Sequence, residues 1–538
     1  MEATQNIPAA DYVVVGAGSA GCVVAARLSE SGASVVLLEA GPKDWNPFIH
    51  IPAGVLYIMR NGWVNWGYAS EGETGTAGRP INWPRGKVLG GTSSINGMLY
   101  VRGQPADFDG WAQRGCRGWS FSEVLPYFKG SETYANGGDP ELRGSNGPLQ
   151  VRDYDTVLPL THRFVKAAQE AGHPFSPDLN GAKQEGVGYS QMTRIGRRRG
   201  STAQTYLAEA RHRKNLRVET DATATGLILD GKRCTGVRFR QGGVDRAISA
   251  RREVIVCGGA VNSPQLLQIS GIGTPEHLKS IGVEVAHELP GVGRNLHDHY
   301  VVRVAHRIRN ETSINQLARG WRLAREMVRY ATAGNGALTF GITSAQVFSH
   351  SREGLAAPDI QLLFTPASYS IDKVGFLDKE PGMAVAVCPV RPRSRGTILA
   401  TSADPFAKPA IRPNYLEDDD DVRVLEAGIR QTRAIYASPS LAEISMGEKV
   451  PGDGGALDRD AVREFARNHG TTIYHPVGTC RMGEDPGAVV DSRLRVHGME
   501  GLRVIDASVM PEITTGNTNA PTIMIAEKGA AMIREDAA

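Results

Sequence analysis

The stretch "DYVVVGAGSAGCVVAARLSESGASVVLLEAG", Asp11 to Gly41, constrains the fold more than any other part of the chain. It reads as one βαβ unit. Tyr12–Val15 is a continuous apolar run, as a strand buried on both faces requires. Gly16, Gly18 and Gly21 follow in the spacing G-x-G-x-x-G. The first permits a tight turn, the second lets the backbone approach a pyrophosphate, and the third lets the helix pack close on the strand. Phosphate would face the N-terminus of a helix over Ser19–Ser29, beginning Ser19-Ala20, where unpaired N–H groups and the dipole favour an anion. Val35–Leu38 is the second strand, and Glu39, followed by Ala40, stands at its carboxyl end, where an acid can bind ribose hydroxyls. The unit predicts dinucleotide binding but does not separate NAD from FAD.

A chain of 538 residues is long enough for two to four units, at roughly 100–200 residues per domain, and for a large cofactor site. Its 60 Lys+Arg against 57 Asp+Glu leave a net charge of +3, which gives no reason to expect nucleic acid. The basic run "GRRRG" at Gly196–Gly200 reads as a solvated loop. Six cysteines are scattered with no C-x-x-C pair, the pattern of reduced thiols in a cytoplasmic protein. The first residues lack a basic region followed by an apolar one, so no secretory signal is expected. No apolar run reaches the ~18 residues of a membrane helix. Peripheral contact with the inner membrane stays open.

Further Gly-rich segments lie far apart. "PRGKVLGGTSSINGMLYVRGQPADFD", from Pro84, carries Gly90-Gly91-Thr92-Ser93-Ser94, a loop of small side chains able to hug phosphate or the edge of a ring. In "VIVCGGAVNSPQLLQISGIG", Val254–Cys257 reads as a buried strand, with Ser263 as helix N-cap and Pro264 at the first helical position. "LRVIDASVMPEITTGNTNAPTIMIAEKGAAMI" reads as a strand over Leu502–Ile505, Asp506 at its end, and a helix over Thr522–Ile533.

These segments resemble the glucose–methanol–choline (GMC) flavoprotein oxidoreductases. Gly86–Asp109 and Gly259–Gly273 fit the family's two signatures, and "YHPVGTCRMG" and "DASVMPEITTGNTNAPT" fit its C-terminal active-site segments. The order holds from about Asp11 to Ile533. The wording is most similar to bacterial FAD-linked alcohol dehydrogenases, and also to choline and sorbose dehydrogenases. The resemblance implies an α/β fold: a Rossmann-like FAD-binding domain from discontinuous segments (residues 1–155, 200–300 and 466–538). A substrate domain with an antiparallel sheet and helices would take residues 156–199 and 301–465. It also implies that Gly16–Ala20 hold the pyrophosphate and Glu39 the ribose. Val88, Gly91, Thr92 and Asn96, Gly97, Met98, Leu99 would lie along the flavin and its chain, and the Ala224 backbone would approach adenine. Asp506, Ala507, Asn517 and Thr518 would close the site. Trp66 is either a flavin contact or a core residue.

In "TIYHPVGTCRMG" the resemblance makes His475 the catalytic histidine and maps its polar partner onto Asn519. An alcohol must lose a hydroxyl proton and a carbinol hydride. A histidine can take the proton near neutral pH, and an amide can hold the oxygen. Cys480 lacks the companions of a zinc site, and nothing marks it as a nucleophile, so it reads as packing. "NLHDHY", with His297, Asp298 and His299, resembles a structural loop of the family rather than a metal site. Members with covalent flavin carry His where this chain has Ile95, which implies non-covalent FAD. Choline-oxidising members carry a glutamate that aligns here with Ser344, which argues against choline. The expected activity is oxidation of a primary alcohol to the aldehyde by an FAD-dependent dehydrogenase. Its acceptor is other than NAD: a quinone, a cytochrome or a dye. An O2-using oxidase and a redox-silent flavin lyase are the alternatives.

Overall fold

The computed structural model describes residues 5–59, 62–370, 376–452, 454–455 and 457–538. Two seven-stranded sheets organise it. In the first, Leu216–Glu219, Val35–Leu38, Gln5–Val15 and Val244–Val256 run parallel, with Arg233–Gln241 and Ala222–Asp230 added antiparallel. Leu502–Val504 pairs parallel with Val254–Val256, so a late segment completes a sheet begun by an early one. The apolar run Tyr12–Val15 is wholly buried at its centre, as a parallel strand covered on both faces must be. The helix Ser19–Ser29 covers this sheet beside the helix Asn519–Asp536. Arg27 on the first ion-pairs with Glu527 on the second at 2.8 Å, and Tyr206 donates to the same carboxylate at 2.6 Å.

The second sheet is antiparallel throughout, in the order Ser445–Val450, Tyr300–Ile308, Gly382–Pro389, Ile360–Thr365, Ala345–Ser349, Gly186–Tyr189. Period-two alternation divides Tyr300–Ile308. Tyr300, Val302 and Val304 enter one core with the helices Pro159–Glu170 and Asp419–Ala437, while Val301 and Arg303 face the other way. The outward face, with Leu363 and Ala386 in register with Arg303, is turned toward the first sheet's loops. The strand Thr471–Thr472 pairs with Tyr300–Val301 and carries the chain back to the junction. Among the described residues no helix is long and apolar enough to cross a membrane.

The helix Ser19–Ser29 and the strand Val35–Leu38 form as read, while Tyr12–Val15 and Val254–Cys257, the latter only as far as Val256, prove to be the ends of the longer strands Gln5–Val15 and Val244–Val256, and the last helix starts at Asn519 instead of Thr522; Ser263 and Pro264 differ in kind. The helix begins at Gly259 and passes through both. Ser263 donates instead to Asp506 at 2.6 Å, and the Gly259 N–H to the same oxygen at 2.8 Å. The buried carboxylate competes successfully for the hydroxyl that would otherwise cap a helix.

Candidate active site

One long cavity runs between the two sheets. At one end the turn after the first strand is built on Gly16, whose φ of +99° and closeness to Cys257 O leave no room for a Cβ. Gly18 opens the helix with no side-chain cap, leaving its N-terminal N–H groups for an anion. Across from it, a Cβ on Gly91 would stand 2.6 Å from the Gly18 Cα, so the two loops approach this closely only with a glycine at 91. Gly21 lies behind this wall, where a Cβ would strike Gly16 O, and Val88 packs with Ile49, Ile58, Val64 and Ile95. Neither lines the cavity, so the expectation that Val88 lies along the flavin is corrected: its side chain backs Ile95, which does line it.

The other predicted cofactor residues are brought together. Ser19, Ala20, Glu39, Ala40, Trp66, Thr92, Asn96, Gly97, Met98, Leu99, Ala224, Asp506, Ala507, Asn517 and Thr518 all line the cavity. Glu39 accepts from Ala17 N and Gly41 N, both at 2.9 Å, and burial pushes its carboxyl up to about 7. Trp66 is half-buried, stacked on Tyr68 with Lys87 Nζ 4.7 Å from its ring centroid, so it serves packing and lining together. The glycine-paired loops and the open helix end fit the pyrophosphate of a dinucleotide.

The far end holds His475. Asp298 fixes its backbone, accepting from His475 N at 2.8 Å, from Thr472 Oγ1 at 2.5 Å and from Tyr415 OH. Tyr474, beside it, has a φ of +70°, a strain that Thr472 Oγ1 and Arg85 hold in place through Tyr474 N and O. His299 Nε2 lies 3.2 Å from Val390 O, and its Nδ1 lies 3.0 Å from His475 Nδ1. A carbonyl only accepts, so His299 carries its proton on Nε2 and presents a lone pair at Nδ1. His475 must then donate from Nδ1, which leaves the lone pair of Nε2 facing the cavity. Asn517 Nδ2 lies 3.1 Å from that Nε2 and donates to it. Asn517 Oδ1 is buried with no protein partner. Burial first, then the adjoining His299 ring and the charge of Arg85, hold His475 well below its ordinary range, and burial holds His299 at about 4.

The structure therefore corrects the pairing expected from the sequence. Asn519 is the first residue of its helix, and its Oδ1 accepts from Ser19 Oγ at 2.7 Å on the phosphate-facing side. Asn517, two residues earlier in the loop, reaches His475. Asp107 pins that loop by accepting from Thr515 N at 2.7 Å and Thr515 Oγ1 at 2.8 Å. Ser344 is also corrected. It is buried against Thr161 Oγ1 at 2.9 Å and does not line the cavity, whereas Ile342 and Thr343 do. Cys480 is fully buried among core residues, its thiol pushed far up by burial. Sequence reasoning missed His299 as a neighbour of His475, and Arg85 and Arg303 as cavity residues. The strand pairing of Thr472 with Tyr300 is the signal that joins "NLHDHY" to "TIYHP".

Comparison with known proteins agrees with this arrangement. Two GMC oxidoreductase family profiles match, one over residues 10–301 and one over residues 392–526. The oxygen-dependent choline dehydrogenase of Brucella suis is 42% identical over 526 residues, 96% of this chain and 94% of its own. The alcohol dehydrogenase [acceptor] of Pseudomonas putida is 40% identical over 530 residues, 97% and 95% of the two chains. The crystal structure of pyridoxine 4-oxidase from Mesorbium loti superposes with a TM-score of 0.89 at 30% identity, covering 98% of this chain and 99% of that one. With both profiles matched in order along a fold that gathers their segments at one cavity, the chain belongs to the GMC oxidoreductase family and is an FAD-dependent flavoprotein.

Proposed function

We propose that the protein oxidises a primary alcohol to the aldehyde, with His475 as proton acceptor and Asn517 as holder of the alcohol oxygen. The observation that carries this reading is the tautomer chain Val390 O, His299, His475, which leaves a basic Nε2 in the cavity beside an amide donor. Gly16, Gly18, Ser19 and Gly91 would hold the cofactor's phosphates, and Asn96 to Leu99 would flank its ring. Bound FAD supplies the hydride acceptor. The alcohol O–H takes the place of Asn517 Nδ2–H at the Nε2 lone pair and gives up its proton there, while the displaced Nδ2–H turns to the oxygen as negative charge develops. The carbinol hydrogen leaves as hydride, so two electrons and two hydrogens depart and the carbonyl forms. Ile473, Leu99 and Ile342 make that end apolar and exclude water from the reacting carbon. The electrons pass to an acceptor other than NAD.

A positioned general base contributes about 10²–10⁴-fold, so His475→Ala should slow anaerobic flavin reduction by an alcohol by that order while FAD stays bound. Cys480→Ser, buried away from the cavity, should leave the rate near wild type. Reduction at the wild-type rate in His475→Ala sinks the assignment.

A further inference from the structure

We propose that the substrate is an alcohol that also carries an anionic group, a hydroxy acid in the simplest case, and that Arg303 on the second sheet binds that anion. This rests on the alcohol-oxidation reading and names the class of alcohol. Arg303 lines the cavity from the strand Tyr300–Ile308, on the face opposite the buried core. Its register neighbours are Ala386 and, one strand further, Leu363; Ala384 lines the same face. These side chains are short or apolar and offer the guanidinium no acceptor. Among the described residues no carboxylate lies within ion-pair distance of it. What holds it is the ring of Tyr369, whose centroid is 5.6 Å from the guanidinium carbon. A ring face orients an arginine but leaves its forked N–H donors unspent, and that fork matches a carboxylate or a phosphate.

The position suits the chemistry. Arg303 lies four residues along the chain from His299, the hydrogen-bond partner of His475, on the strand face that carries Val301; Arg303 and His475 both line the one cavity, so a substrate chain can span from base to cation. The same arrangement rejects a quaternary ammonium. The only carboxylates lining the cavity among the described residues are Glu39 and Asp506. Glu39 is bound to Ala17 and Gly41 N–H groups, and Asp506 to Gly259, Ser263 and Ser508. Of the aromatic rings lining the cavity, Tyr369 is covered by Arg303 and Trp66 by Lys87, both the protein's own cations.

Three alcohols of one chain length and different charge provide the test: 6-hydroxyhexanoate, hexane-1,6-diol and 6-aminohexan-1-ol. Wild-type holoenzyme should reduce its flavin with kcat/KM falling in that order. Arg303→Gln should cut the ratio of hydroxyhexanoate to diol by about 10- to 100-fold, chiefly through KM, the worth of a hydrogen bond to a charged group. Arg303→Glu should move the amino alcohol ahead of the acid. Hexanoate, which cannot be oxidised, should perturb the flavin absorbance of wild type and not of Arg303→Gln. A diol that equals or beats the acid in wild type, or hexanoate binding untouched in Arg303→Gln, overturns the inference. If none of the three alcohols reduces the flavin, alcohol oxidation itself fails. Hexanoate binding then still decides whether Arg303 holds an anion.

Discussion

At His475 the proton is placed by groups that never touch substrate. Val390 O orients His299, His299 accepts from His475, and the acceptor lone pair is left at Nε2, where Asn517 donates until an alcohol replaces it. The neutral ring is the acceptor, and burial, with the adjoining His299 ring and the charge of Arg85, lowers its pKa well below 6.5. A base whose pKa is lowered keeps its working form as pH falls, until the pH reaches that lowered value. The rate of flavin reduction should therefore be flat through neutrality and fall only in acid, well below 6.5. Stopped-flow rates that are still climbing above neutrality contradict this placement. The two asparagines separate cleanly at this scale. Asn517→Ala should slow reduction by about 10–10³-fold, the range of a lost oxyanion donor. Asn519→Ala frees Ser19 and should weaken FAD retention with little effect on the reduction rate of the FAD-bound fraction. The reverse pattern would restore the sequence assignment. "GNTN" offers two asparagines two residues apart, and only the point where the helix starts tells which one remains in the loop. Ser344 was misread for a related reason: it lies in the loop just before the strand Ala345–Ser349, where Ile342 and Thr343 line the cavity and the next residue does not, so an alignment uncertain by one residue exchanges cavity for core.

At the scale of elements, the glycine turn, its helix and the loop around Gly91 were legible because each obeys a local rule of backbone approach. The antiparallel sheet entered only through the family resemblance. Its strands belong to a face, and which residues of that face meet a cavity depends on a second sheet far away in sequence. Arg303 shows this: nothing around "YVVRVAHRI" distinguishes it from a solvated arginine. Ile95 sits at the cavity wall, buried with Ile49, Ile58, Val64 and Val88, and brings no nucleophile there. FAD should leave intact when the protein is denatured by acid, and the precipitated polypeptide should be colourless. Yellow colour retained by the pellet would show a covalent bond elsewhere on the wall.

At the scale of the whole molecule, the first and last helices are joined by Arg27 and Glu527, with Tyr206 donating to the same carboxylate. Removing one partner of a mostly buried pair leaves a stranded charge, whereas removing both does not. Arg27 alone keeps Glu30, whereas Glu527 alone keeps the neutral Tyr206, so melting temperatures of the apoprotein should fall in the order wild type, Arg27→Met/Glu527→Gln, Arg27→Met. A double variant less stable than the single one would show that the pair is not what joins the ends. The same closure governs how the protein is made. Ser19 and Asn519 meet across 500 positions, and Leu502–Val504 pairs with Val254–Val256. A ribosome adding about 5–20 residues per second needs roughly half a minute or longer to travel between those positions. For about the second half of that interval Val254–Val256 offers an unpaired apolar edge, and for nearly all of it the cavity lacks both His475 and Asn517. Cofactor capture is consequently a late event in the life of the chain. A shortage of flavin in the cell would be felt as a pool of nearly finished molecules, each waiting to be loaded.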